Sequence, residues 1–102
     1  MFEIKRNNVI TMTRGDTAHI EIKCGYELQD GDEAVMTIKK RLKDTDPVLT
    51  IKPVKDWIFE LEPDDTIDLL GDYVYDVQLT TAEGEVYTLV LSEIIFMRGV
   101  TE

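Results

Sequence analysis

Arg14-Gly15-Asp16 is the first pattern in this 102-residue chain with a chemistry attached, since the same tripeptide can dock into integrins. It lies between two β-branched runs, where glycine supplies the positive φ of a tight turn and the flanking charges stay solvated. The expectation is a turn, not an adhesion site. Asp64, Asp65, Asp68, Asp72 and Asp76 form a second pattern, because hard cations take several carboxylate oxygens. Their spacing is not the D-x-[DN]-x-[DN]-G loop with a distal glutamate. Asp64 and Asp65 have a plainer use, as acids that offset the dipole of a helical turn and cap its free N–H groups. No metal is assigned. His19 and Cys24 are the single histidine and the single thiol. A Cys–His nucleophile pair needs hydrogen-bond contact and an orienting third group, whereas five residues of strand hold them about 16 Å apart. Cys24 reads instead as a small buried hydrophobe at a strand end.

The 21 acids supply many carboxylate pairs, but nothing marks one pair out, and a small β domain with short loops leaves little room for a cleft. The chain is therefore not read as an enzyme, and no catalytic residue or cofactor is assigned. Lys39-Lys40-Arg41 is the one basic run. It lacks interleaved aromatics and sits in a chain of net charge −10, so nucleic acid is not an expected partner. Trp57, Tyr26 and Tyr87 are the rings that would build an aromatic platform, the mark of a carbohydrate- or protein-binding surface.

Charge is unevenly placed. Residues 1–55 carry ten Lys/Arg against nine Asp/Glu, whereas between Asp56 and Met97 there are eleven acids and no Lys or Arg. That field repels nucleic acid and anionic membranes and favours a basic partner surface or plain solubility. No apolar run is long enough for a membrane-spanning helix. Residues 1–6 lack the apolar stretch of a signal peptide, and one cysteine cannot form an intrachain disulfide, so synthesis in the cytoplasm is expected. With 43% apolar and 31% charged residues, the chain has the composition of one globular domain spanning 1–102.

The elements that must position these residues are strands. In Gly71-Asp72-Tyr73-Val74-Tyr75-Asp76-Val77-Gln78-Leu79-Thr80, the set Tyr73, Tyr75, Val77 and Leu79 is large and apolar, and its alternates turn polar. The run Thr17-Ala18-His19-Ile20-Glu21-Ile22-Lys23 alternates likewise, with Ala18, Ile20 and Ile22 inward. Further strands are expected over residues 8–12, over 34–42 with Leu42 in phase with Ala34, Met36 and Ile38, and over 48–53. Trp57, Phe59 and Leu61 place another over 57–62, and the last two are expected over 86–91 and 93–98. Asp30-Gly31 marks a turn, and Pro53 suits an edge strand. One short helical turn is expected near 63–70, closed by Gly71. Seven or eight short strands at this spacing predict an all-β sandwich of antiparallel strands. A strand, a helical turn and then Gly71-x-Tyr73 favour the immunoglobulin-like form. There Tyr73 is the corner tyrosine, with a buried ring and a hydroxyl bonded to backbone just upstream. Tyr75 stands where antibody domains carry a cysteine.

Several segments together resemble one family. Ile10-Thr11-Met12-Thr13-Arg14-Gly15-Asp16-Thr17 looks like the opening of small tail-associated β-sandwich proteins encoded by phages and prophages of Gram-positive bacteria. Tyr26-x-Leu28-Gln29-Asp30-Gly31-Asp32, the strand Val35-Met36-Thr37-Ile38-Lys39-Lys40, the stretch Gly71–Thr80, Gly84-Glu85-Val86-x-Thr88 and Val100-Thr101 extend that similarity along nearly the whole chain. Related domains form the N-terminal module of some baseplate upper proteins. The resemblance implies a non-enzymatic docking module whose partners are tail or baseplate proteins, further copies of itself, or both, and whose place after assembly is the virion tail. Two edges are expected to serve association, residues 48–52 and residues 94–98. The first is guarded by Pro47 and Pro53. Ile94, Ile95, Phe96 and Met97 are therefore the expected interface, since Ile94 and Phe96 cannot share a face with Ile95 and Met97.

Overall fold

Alternation becomes strand almost wherever the sequence carries it. The computed structural model describes residues 8–100 and the backbone strand Glu3–Ile4; the expectations placed on residues 1, 2, 5 and 6 and on Thr101 lie outside the described residues. The elements are β1 (Glu3–Ile4), β2 (Ile10–Thr13), β3 (Ala18–Glu21), β4 (Glu33–Lys39), β5 (Leu49–Ile51), β6 (Ile58–Leu61), α1 (Pro63–Thr66), β7 (Gly71–Thr80) and β8 (Val86–Met97). Ala18 and Ile20 are buried between exposed His19 and Glu21, and Tyr73, Tyr75, Val77 and Leu79 are all buried. The alternation sorted these side chains correctly.

Two unequal sheets result. One has six strands in the order β1-β2-β8-β7-β4-β5, and the other has only β3 and β6. Residues 94–97 of β8 run parallel to β2, with Ile10 opposite Ile94 and Thr13 opposite Met97, and all other pairings are antiparallel. An all-antiparallel arrangement was the expectation, and the β2–β8 pair corrects it. The inner face of the large sheet supplies Ile10, Met12, Met36, Ile38, Tyr75, Val77, Ile94 and Phe96 to the core. The small sheet and the residue before it supply Ala18, Ile20, Trp57, Phe59 and Leu61. Two strands cannot cover six, so part of the large sheet's inner face has no layer above it.

The passage from β6 to β7 carries the chain from the small sheet to the large one through α1. Pro63 opens that helix, where a missing N–H costs nothing, and the Glu62 amide donates to the Asp65 carboxylate at 2.7 Å. Gly71 enters β7 at φ +95°. The buried Tyr73 ring meets Phe96 edge-on, centroids 5.5 Å apart at 76°, and the Lys40 ammonium sits 4.5 Å from its centroid. A tyrosine hydroxyl does reach backbone, but it belongs to Tyr75, which donates to the Asn8 carbonyl at 2.5 Å.

Four expectations need correction. Leu42 is 64% exposed, because β4 ends at Lys39 and the turn closed by the Asp44 amide on the Arg41 carbonyl leads the chain off the sheet. Residues 86–97 form one strand rather than two, and residues 94–97 are no edge, being flanked by β2 and β7. Cys24 is exposed, since β3 stops at Glu21 and the segment after it turns outward through Gly25 at φ +75°. The other expected edge, β5, does lie at the margin of the large sheet.

Candidate functional site

The sequence-derived candidates scatter. Arg14-Gly15-Asp16 is a turn docked against α1: the Gly15 amide donates to the buried Thr66 hydroxyl at 2.8 Å, and the Arg14 amide to the Met97 carbonyl at 2.9 Å. Gly15 has φ +80°, and a Cβ there would come within 2.7 Å of Ile67 Cδ1. Asp64, Asp65 and Asp68 lie in or just after α1, while Asp72 and Asp76 alternate with the inward tyrosines of β7. Among the described residues no three carboxylate, histidine or cysteine groups converge as metal ligands would. Lys40 is taken by the Tyr73 ring and by the Asp72 carbonyl at 3.3 Å, which divides the basic run.

His19 and Cys24 do not meet. His19 Nε2 lies 3.7 Å from Glu60 on the outer face of the small sheet, and its ring is largely exposed. A hydrogen bond with Glu60, and that neighbour's charge, push the Glu62 carboxyl above its ordinary range. This pair is open to solvent and lines none of the recesses below.

Of the three rings proposed as a platform, Trp57 is buried, its indole N–H donating to the Tyr26 carbonyl at 2.6 Å. Tyr26 and Tyr87 stay exposed and line one open recess of about 560 Å³ together with Asp30, Glu83 and Leu89. The Tyr26 hydroxyl donates to Asp32 at 2.7 Å, which raises the tyrosine's pKa and lowers the carboxyl's, the latter helped first by the Gln29 amide. The charge of Glu85 is the main cause that raises Tyr87.

A second recess of about 540 Å³, lined by Ile22, Cys24, Tyr75, Leu89 and Val90 among others, meets the first at Leu89. Together they form a groove between β8 and the segment joining β3 to β4. The groove exists because the small sheet stops short. Its shape owes something to a β-bulge as well: Val77 pairs with Val90 but Gln78 with Thr88, so Leu89 is the extra residue and turns toward the groove.

Residues 94–97, the expected interface, divide by face. Ile94 and Phe96 are buried in the core, Ile95 is half-buried, and Met97 is 46% exposed. Sequence reasoning missed the other half of the same strand, where Val86, Tyr87, Leu89 and Leu91 are all exposed. The available signal was six consecutive residues without a charge, Val86-Tyr87-Thr88-Leu89-Val90-Leu91. No helix among the described residues is long and apolar enough to cross a membrane. No family model, no curated protein and no solved structure matches the chain.

Proposed function

We propose that this chain is a non-enzymatic docking module of a phage or prophage tail or baseplate, made in the bacterial cytoplasm and joining the virion tail on assembly. It works by association with other tail proteins and with further copies of itself. The phage assignment rests on the resemblance of the quoted segments. The reading includes an immunoglobulin-like sandwich. Its support is the β3-β6 pair facing a β8-β7-β4-β5 order, the pattern of an immunoglobulin fold whose larger sheet has gained a strand. The parallel β2–β8 pair and the sheet-to-sheet passage through α1 fit the same plan.

One observation carries the docking function. β8 lies inside a sheet for part of its length, yet it exposes large apolar side chains along most of it. On the outer face Leu91 is 56% exposed beside Leu42 and Val74, and beyond the exposed Glu93 the same face carries Ile95 and Met97. Large apolar side chains exposed in this way mark association surfaces. Light scattering at rising concentration should show self-association that Leu91→Glu with Met97→Glu abolishes. A strict monomer that also binds no phage tail or baseplate protein from the same genome would overturn the reading.

A second reading has an observation of its own. Tyr26 and Tyr87 share a recess with the carboxylates of Asp30 and Glu83, a pairing of rings and acceptors that suits a sugar. Glycan-array binding that disappears in Tyr87→Ala would favour this carbohydrate-binding module over the protein-docking one.

A further inference from the structure

Five of the six residues 86–91 of β8 pair with β7 on one side, from Val86 opposite Thr80 to Leu91 opposite Asp76, and Leu89 is the bulged exception. β2 pairs only with residues 94–97, and among the described residues no strand pairs with the other side of 86–91. About 20 Å of strand edge is therefore open among the described residues, with N–H and C=O groups directed away from the sheet on either side of the Leu89 bulge. Natural edges are usually blunted by lysine, proline, inward charge or a β-bulge, and of these the edge carries only the bulge. This one is Val-Tyr-Thr-Leu-Val-Leu. The contrast with β5 is direct, since that edge is three residues long and flanked by Pro47 and Pro53.

Along the open edge run the two recesses that meet at Leu89. The strand offers apolar contacts into them through Tyr87, Leu89 and Val90. The charges lining them are Glu21, Asp30, Asp32, Glu83 and Glu85 against Lys23 alone. Such a groove rewards an occupant that supplies a backbone ladder, apolar side chains and positive charge. A second copy of this chain supplies the first two but brings a net charge of −10.

We infer that the open edge of β8 captures an extended, basic segment of another protein by strand addition. The added strand continues the line of β2, places apolar side chains into the two recesses, and passes lysine or arginine over Asp30, Glu83 and Glu85. Tyr26 and Tyr87 give that cation rings to stack on. This inference rests on the docking-module reading, and it names the partner chemistry of one surface, distinct from the outer face that joins copies.

The test titrates the full chain against three fluorescent peptides of about eight residues, the length of such an added strand. One alternates valine with lysine, one alternates valine with glutamate, and one is the lysine peptide N-methylated at alternate amides. The lysine peptide should bind, the glutamate peptide should not, and N-methylation should weaken binding by at least about tenfold. Leu89→Lys and the double change Glu83→Lys/Glu85→Lys should each weaken it by about tenfold with an unchanged melting temperature. Equal binding of the N-methylated peptide would show plain attraction to a polyanion and overturn the inference. So would silence of the lysine peptide, or a Leu89→Lys change that dissolves the homo-oligomer and so identifies a second copy as the occupant. If the peptides fail while oligomers sensitive to Leu91→Glu with Met97→Glu persist, only this inference falls. Loss of both would take the docking function with it.

Discussion

Tyr75 ties β7 to Asn8, two residues before β2, through one hydroxyl, and its burial pushes the phenol pKa from 10.0 up to about 12. In the unfolded chain it ionises near its ordinary value, so its contribution is fully present below pH 10 and is lost as pH rises through about 12. Alkaline melts of the wild type should therefore lose stability over that window, and Tyr75→Phe should flatten the loss. At neutral pH the same change removes the donor from a part-buried carbonyl and should cost about 1 kcal/mol, a fall in Tm of about 4–8 °C. Asp76 behaves in the opposite sense to a salt-bridged carboxylate. Burial raises its pKa, with Lys39 opposing the shift, so its contribution is present below the ordinary value of 3.8 and lost as pH climbs through the raised one. Asp76→Asn should stabilise the protein at pH 7 and lose that advantage toward pH 3, as thermal melts across the range would show.

At the scale of elements, the small sheet and α1 close one side of the core. Phe59 is fully buried on a strand with one neighbour, and Phe59→Ala should cost about 3–5 kcal/mol in urea unfolding. Gly15→Ala should be destabilising by about 1–2 kcal/mol, because positive φ and contact with Ile67 act together. The companion change Ile67→Ala should relieve only the contact. Much of this scale was legible in the chain: the alternations in β3, β4 and β7 announced strand and face, and Pro63 announced the start of α1, whereas Gly71, expected to close it, opens β7 five residues past the end of the helix. The β2–β8 pairing was not, because no local pattern records a partner more than eighty residues away. β8 hid for another reason. Its bulge shifts the phase, so Tyr87 and Leu89 belong to one alternation and Val90, Ser92, Ile94 and Phe96 to the next. Read without the bulge, the run breaks into two short strands and its groove-facing half disappears. Leu42 failed at a strand end, where a turn and not the period of two decides burial, whereas Trp57, in phase with Phe59 and Leu61, is buried as that period requires.

For the whole molecule, charge sets the sign of two salt dependences. Copies that meet through the outer face each carry −10, so added salt should screen their repulsion and strengthen self-association. Capture of a basic strand at the groove should weaken under the same salt. Sedimentation and peptide titration run along one salt series would separate the two surfaces without a mutation, and a common direction for both would contradict this division of labour.

The parallel β2–β8 pair has a geometric consequence. Glu3 stands opposite Thr11 and Met97 opposite Thr13, so β1 and the end of β8 leave the sheet near the same pole. β8 then runs roughly 35 Å back to the Thr81–Glu85 hairpin at the other pole, at the rise of a strand. β1 begins and β8 ends at one pole, and the acidic mouth of the groove lies toward the other, beside the Thr81–Glu85 hairpin. The groove thus faces away from the pole that these two strand ends share.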